Sequence, residues 1–213
     1  MNPGSTLLLA TALAALAAGC ANPGRSRALG DPAVSGTTLA QQVCSNCHGL
    51  HGVAVSPNFP NLAAQQADYL AGELKSFRDR HRRDPAGFEY MWGISRHLSD
   101  VQIQGLADYY AAQPPARTPF AGDDAQLAAG RALFTQGLAE RGIPACASCH
   151  GERAQGAGGF PRLAGQHADY VVKQLTIFQR SGDERPQGQI MTVVGHKLTR
   201  ADIGAVARYV ESL

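Results

Sequence analysis

Two copies of a five-residue motif constrain this chain more than any other feature. Residues 44–48 read Cys-Ser-Asn-Cys-His, and residues 146–150 read Cys-Ala-Ser-Cys-His. This C-x-x-C-H pattern is the attachment signature of a c-type haem, in which both cysteines form thioether bonds and the histidine binds the iron. The pattern predicts two covalent haem c groups. The attaching cysteines are Cys44, Cys47, Cys146 and Cys149, and the axial histidines are His48 and His150.

A zinc site is the alternative use of these cysteines. Two C-x-x-C pairs can join into one four-sulfur zinc site. Such a site requires no histidine after either pair, whereas this chain has one after both. It also leaves the two matched methionines unexplained.

Besides the initiator, the chain has only two methionines, Met91 and Met191, and each follows a Gly- and charge-rich segment. Met91 lies 43 residues after His48, and Met191 lies 41 residues after His150. A thioether is a soft, neutral ligand that favours ferrous iron, and His/Met ligation leaves the iron no open position. We therefore expect both methionines to be axial ligands. The alternative is that they fill gaps in the core, which is the usual role of methionine.

The remaining histidines are weaker candidates for the iron. His51 lies only three residues beyond His48, and His81 belongs to the charged run 78–83, which favours a solvated loop. Three others have no histidine at the matching repeat position: His97, His167 and His196.

The two haem motifs belong to an internal repeat. Residues 59–63 and 160–164 both read Phe-Pro-x-Leu-Ala, at an offset of 101 residues. Ala-Asp-Tyr recurs at 67–69 and 168–170 with the same offset. The chain is therefore a tandem duplication. Its predicted domains are residues 35–112 and 123–213, joined by a proline-rich linker, 113–122, that is short enough to hold them together.

Each repeat shows helical periodicity without the alternation of a strand. In the first repeat we expect helices over 35–47, 66–77 and 99–112, the last capped by Ser99 with Val101, Ile103 and Leu106 buried. In the second we expect helices over 124–134 and 167–178 and a last helix capped by Thr199. A unit of this size has a modest core, which a buried haem would complete. The predicted fold is all-α: two tandem domains, each wrapped around one covalent haem.

The Phe-Pro-x-Leu-Ala segment suits a position beside the haem. A haem histidine normally donates its second ring N–H to a fixed acceptor, which sets its orientation and basicity. The carbonyls of Pro60 and Pro161 are candidates for that acceptor, and Leu62 and Leu163 are expected to pack on the haem. The alternative is that these prolines only turn the loop.

The N-terminus resembles a bacterial lipoprotein signal. Residues 7–18 form an apolar run, too short to span a bilayer, that ends at Cys20. We expect residues 1–19 to be a signal peptide, Cys20 to be the lipidated mature N-terminus, and residues 20–34 to be a flexible tether. The alternative is ordinary cleavage nearby, because residues 1–6 lack the usual Lys or Arg.

These motifs, with one methionine and one final helix in each half, make residues 35–213 resemble the class I cytochromes c, and in tandem their diheme c-four type. The resemblance implies two cytochrome c domains packed about a pseudo-twofold axis, with haems close enough to exchange electrons. It also implies that Pro60 and Pro161 orient the histidines. Tyr69 and Tyr170 fall where such proteins make interdomain or propionate contacts.

The charge of the chain is nearly balanced, with 19 Lys and Arg against 17 Asp and Glu, so nothing indicates a nucleic acid partner or an acidic substrate. We expect a periplasmic electron carrier, anchored through Cys20, that is not an enzyme and takes no small-molecule substrate. The resemblance implies redox protein partners: a terminal haem–copper oxidase, a quinol-oxidising complex or a periplasmic dehydrogenase. The alternative is a diheme enzyme, such as a peroxidase or a thiosulfate-oxidising cytochrome, which needs an open iron or a cysteine ligand.

Overall fold

The computed structural model describes residues 29–117, 123–180 and 182–213. The predicted signal peptide, Cys20, the first part of the tether and residues 118–122 of the linker lie outside these ranges. The described part of the chain is helical and contains no sheet. Two isolated antiparallel β-bridges, Leu138–Ile143 and Ala157–Phe160, join residues within loops of the second domain. This confirms the all-α prediction.

The first domain is built from five helical segments with one π-helical turn. Ser99 caps the last helix: its hydroxyl accepts the N–H of Gln102, whose side chain accepts the N–H of Ser99 in return. In chain order they are α1 (Gly36–Leu39), the π-helical turn (Ala40–Cys44), α2 (Ser45–His48), α3 (Ala67–Arg78), α4 (Pro85–Ser95) and α5 (Asp100–Ala111).

The second domain repeats this order, with two short 3₁₀ turns. Thr199 caps its last helix through a reciprocal bond with Asp202, as predicted. In chain order its elements are α6 (Asp124–Gln136), a 3₁₀ turn (Ala139–Arg141), α7 (Ala147–His150), α8 (Ala168–Arg180), a 3₁₀ turn (Pro186–Gly188), α9 (Gln189–Gly195) and α10 (Arg200–Glu211).

Glycines allow the first and last helices of each domain to cross closely. A Cβ added to Gly36 would lie 2.5 Å from the carbonyl carbon of Gly105, and one added to Gly130 would collide with the carbonyl oxygen of Ala205. Any side chain at these positions would push the helices apart. Phe134, one turn after Gly130, is fully buried. The same crossing of the first and last helices therefore borders the core of both domains.

The structure differs from the sequence analysis in the helices that carry the methionines. Met91 lies on α4 and Met191 on α9, neither of which was predicted. Helix α4 begins at Pro85, where the missing N–H costs nothing because the first turn has no intrahelical acceptor for it. The prediction that Val101 is buried was wrong, since it is 81% exposed. The buried face of α5 contains Ile103, Leu106 and Tyr110. Val101 lies about 200° around the helix from Ile103, so it points away from that face.

Parts of the predicted tether and linker pack against the domains. Val34 is fully buried, and Leu29 packs on the same core cluster. The side chain of Gln102 donates to the carbonyls of Asp31 and Val34, at 2.8 and 3.0 Å. Ala116, in the described start of the linker, is also buried. The packed first domain thus includes Leu29 and Val34, which belong to the predicted tether.

Candidate haem sites and the interface between them

In each domain the motif histidine is buried and hydrogen-bonded to a proline carbonyl. Nδ1 of His48, at the end of α2, lies 3.0 Å from the carbonyl oxygen of Pro60. Nδ1 of His150, at the end of α7, lies 2.9 Å from that of Pro161. The proline loop of the first domain is held in place because the carbonyl of Gly52 accepts the N–H groups of Leu62 and Ala63.

Both histidines are neutral at pH 7. Burial lowers the pKa of His48 and of His150, and the proline carbonyl opposes this only in part. Because Nδ1–H donates to the proline, Nε2 keeps its lone pair. A neutral imidazole with a free Nε2 is the form that binds iron.

The four motif cysteines are half-buried. Burial raises the pKa of Cys44 to about 12 and that of Cys146 to about 11, so neither is poised as a thiolate. Within the described ranges, no group of three or more His, Cys, Asp or Glu side chains is placed to hold a metal ion. The four-sulfur zinc site is therefore not formed.

The predicted methionines and leucines occupy equivalent positions in the two domains. Met91 and Met191 are half-buried. The carbonyl of Met91 accepts the hydroxyl of Ser95 at 2.6 Å, and Met191 packs on the core of the second domain. Leu62 and Leu163 are partly buried against the cores of their own domains.

Two glutamines join the proline loops across the domain interface. Oε1 of Gln65 accepts the N–H of Arg162 at 2.6 Å, and its Nε2 donates to the Arg162 carbonyl at 3.0 Å. Gln166 makes the same pair of bonds with the backbone of Asn61, at 2.8 and 2.9 Å. The sequence analysis missed both glutamines, although they recur at the repeat offset of 101.

A buried network of charged groups lies at the same interface. Arg82 bonds Glu73 at 2.5 Å, Asp84 at 2.6 Å and Gln174 at 3.2 Å. Arg185 bonds Glu73 at 2.8 Å and Gln174 at 2.6 Å. Burial by itself would raise the pKa of Glu73, but attraction to Arg185 and Arg82 outweighs it, and the pKa is lowered. Glu73 is therefore ionised at neutral pH.

Tyr69 joins this network from the first domain. Its hydroxyl lies 3.2 Å from Nη2 of Arg185, and burial raises the pKa of Tyr69 to about 12. Tyr170 is half-buried and close enough to affect the same pKa. The prediction that 78–83 is a solvated run was wrong for Arg82, which is 5% exposed. Its partners are remote in sequence, so the local charge pattern cannot reveal them.

Haem c carries two propionates, which are anionic hydrogen-bond acceptors, and the interface has donors for such groups. Three buried N–H donors there have no protein partner: Nε of Arg162, Nε2 of Gln174 and Nε of Arg185. Together with the paired cysteines and the neutral histidines, these donors show that the residues present fit two haem c groups. When bound, each haem supplies an iron that cycles between ferrous and ferric.

Comparison with known proteins decides the family. The cytochrome c family model matches twice, over residues 33–112 and 127–213. A cytochrome c4 from Pseudomonas aeruginosa is 38% identical over 89% of this chain and 92% of its own length. The chain belongs to the cytochrome c family, as a diheme member of the c4 type. Its cofactors are two covalent haem c groups, and this cytochrome carries electrons rather than catalysing a reaction.

Solved and curated relatives agree with this assignment. The structure of a cytochrome c4 from Acidithiobacillus ferrooxidans superposes with a TM-score of 0.73 at 39% identity, covering 80% of this chain and 98% of that one. A thiosulfate dehydrogenase electron acceptor from Thiomonas intermedia is 37% identical over 78% of this chain and 76% of its own length. In the described part of this cytochrome, no helix has the length and apolarity needed to cross a membrane.

Proposed function

We propose that this cytochrome passes single electrons between redox proteins of the periplasm through two haems that are each ligated by a histidine and a methionine. The proposed iron ligands are His48 and Met91 in the first domain, and His150 and Met191 in the second. The observation that supports them is the repeated geometry of the histidines. Each is buried and neutral, and donates Nδ1–H to a proline carbonyl, which leaves Nε2 for the iron.

In this proposal the rest of the site orients the haem and shields it. Pro60 and Pro161 fix the histidine rings, and Leu62 and Leu163 cover the haem faces. Tyr69 and Tyr170 stand at the domain interface together with the three unpaired N–H donors. A saturated iron has no position for a substrate, so the haem exchanges electrons without forming a bond to the partner.

Carbon monoxide binding to the reduced protein tests the ligation. Wild-type protein should bind none, because methionine occupies the sixth position of both irons. Met91→Ala and Met191→Ala should each bind about one carbon monoxide per molecule, since one iron opens in each variant. Met91→His, which restores a sixth ligand, is the control and should bind none. Avid binding by the wild type would overturn the proposal. If an alanine variant stays six-coordinate, His97 and His196 are the next residues to replace.

The proposed partners are a terminal haem–copper oxidase, a quinol-oxidising complex or a periplasmic dehydrogenase. Among these, the relative named as an electron acceptor of thiosulfate dehydrogenase favours a dehydrogenase as donor. Copurification from the native membrane separates a permanently docked subunit from a carrier that visits several partners. A cytochrome recovered free of any dehydrogenase contradicts the docked arrangement.

We also propose that residues 1–19 are removed and that Cys20 carries the lipid that tethers the protein to the membrane. Each buried methylene of a fatty acid contributes about 0.8 kcal/mol, so several chains give stable anchoring. Metabolic labelling with a palmitate analogue should mark the wild type and leave Cys20→Ala unmarked. A wild type without label contradicts the anchor.

A further inference from the structure

One peptide group links the axial histidine of the first domain to a side chain of the second. The carbonyl of Pro60 and the N–H of Asn61 belong to the same amide. The carbonyl accepts Nδ1–H of His48 at 3.0 Å. The N–H donates to Oε1 of Gln166, in the other domain, at 2.8 Å. Only this amide separates the histidine from the domain interface.

The second domain contains the same arrangement in the opposite direction. The carbonyl of Pro161 accepts Nδ1–H of His150 at 2.9 Å. The N–H of Arg162, in the same amide, donates to Oε1 of Gln65 in the first domain at 2.6 Å. Each domain therefore supports the histidine of its neighbour.

The bonding pattern fixes the orientation of both glutamines. Oε1 of Gln166 also accepts the N–H of His167 at 3.1 Å, while its Nε2 donates to the carbonyl of Asn61 at 2.9 Å. Oε1 of Gln65 likewise accepts the N–H of Gln66 at 3.1 Å. A flipped carboxamide would place donor against donor and acceptor against acceptor. Both glutamines are buried, so water does not compete for these bonds.

We propose that Gln65 and Gln166 are positioning residues that couple the axial histidine of each domain to the opposite domain. An amide is delocalised, so an acceptor on its N–H makes its carbonyl more negative, and hydrogen bonds in a chain strengthen one another. Gln166 thereby strengthens the Nδ1 bond of His48, and Gln65 strengthens that of His150. A stronger bond makes the imidazole a more basic ligand, which favours ferric iron and lowers the reduction potential of that haem. This inference rests on the axial ligation proposed above.

The test is a crossed pattern of reduction potentials in the intact diheme protein. Gln166→Leu should favour reduction of the haem in the first domain by about threefold, roughly 30 mV at 59 mV per tenfold change. The haem of the second domain should move by less than half as much. Gln65→Leu should give the reverse pattern. Nuclear magnetic resonance of the haem methyl groups assigns each potential to its domain. Gln166→Met and Gln65→Met, with unbranched side chains, replace any leucine variant that misfolds.

Gln66→Leu is the matched control. Nε2 of Gln66 donates across the same interface to the carbonyl of Gln155 at 3.0 Å, and this bond does not involve the Pro60–Asn61 or Pro161–Arg162 amide. This variant should move neither potential. A second readout is the Nδ1–H proton resonance in the ferrous protein: it should move upfield for His48 in the Gln166 variant and for His150 in the Gln65 variant.

A crossed pattern supports the inference. It is overturned if a Gln65 or Gln166 variant shifts both haems equally, shifts only the haem of its own domain, or shifts neither. The weak long-wavelength absorption band of methionine-ligated ferric haem separates this failure from failure of the proposed ligation. A band present in the wild type and every variant, without crossed shifts, refutes the coupling alone, whereas a wild type lacking the band refutes the ligation.

Discussion

Glu73 and Gln174 occupy equivalent positions in the two repeats, 101 residues apart, and both accept hydrogen bonds from Arg82 and Arg185. One is a carboxylate and the other a neutral amide. With Asp84, the buried cluster holds two arginines and two carboxylates, so its charges balance. Glutamate at both equivalent positions would leave an excess negative charge, and glutamine at both an excess positive one.

We expect Glu73→Gln to destabilise the folded protein by about 3–5 kcal/mol, because it leaves an uncompensated guanidinium buried between the domains. Denaturant unfolding, followed by circular dichroism and haem absorbance, measures the loss. The control is Asp100→Asn, which breaks an ion pair of Arg78 with a carboxylate that is 70% exposed, and it should change stability little. Equal losses in the two variants would contradict the role assigned to the buried network.

Stability should fall in acid because the pKa of Glu73 in the folded protein is below its ordinary value of 4.5. As the pH falls below about 4.5, the unfolded chain takes up this proton first, so the free energy of unfolding decreases until the folded pKa is passed. Above the unfolded pKa of about 4.5, the contribution of Glu73 to the free energy of unfolding is fully present. Denaturation midpoints measured from neutral pH down to about pH 3 should show this decline in the wild type and a weaker one in Glu73→Gln.

A second, more acidic contribution comes from Asp202. Its hydrogen bonds with Arg141, and then with Thr199, outweigh the effect of burial and lower its pKa from 3.8 to about 2. Its contribution to stability should be lost as the pH falls through that interval. Asp202→Asn should flatten the stability profile there and leave the Glu73 decline unchanged. An unaltered profile in this variant would contradict the assignment.

Gly130→Ala should destabilise the second domain by about 1–3 kcal/mol, because the added methyl group collides with the backbone of Ala205 where α6 crosses α10. Gly204→Ala is the control on the same pair of helices. Its Cβ would lie 3.6 Å from the side chain of Gln126, an ordinary contact, so it should be neutral or stabilising by about 0.5–1 kcal/mol. Thermal unfolding of both variants checks the difference, and similar midpoints would show that the crossing tolerates a side chain.

The two haems should have positive but unequal reduction potentials. The methionine ligation proposed above would raise both potentials, while the groups at equivalent positions differ: Asn61 against Arg162, and Glu73 against Gln174. A redox titration followed at the haem absorption bands should resolve two one-electron steps. A single step with equal potentials would contradict this expectation.

Features that depend on local chemistry were predictable from the sequence. The spacing of Cys44, Cys47 and His48 is set by the geometry of haem attachment, so it is readable without a structure. The caps Ser99 and Thr199 act on backbone groups within one turn, and both appear as predicted. The helices that carry the methionines were missed because the apolar residues of α4 are spread around most of the helix, and α9 has only seven residues, so neither segment shows one apolar face at a helical period.

The sequence by itself determined the two haem motifs, the duplication and the all-α class, because each follows from residue types at short or repeated spacing. Only the tertiary structure decided that Arg82 is buried and that the glutamines reach the proline loops. Those contacts join residues about 100 positions apart, such as Gln166 and Asn61. Their contribution to the stability of the folded protein depends on the exclusion of water by the other domain, which no local sequence pattern indicates.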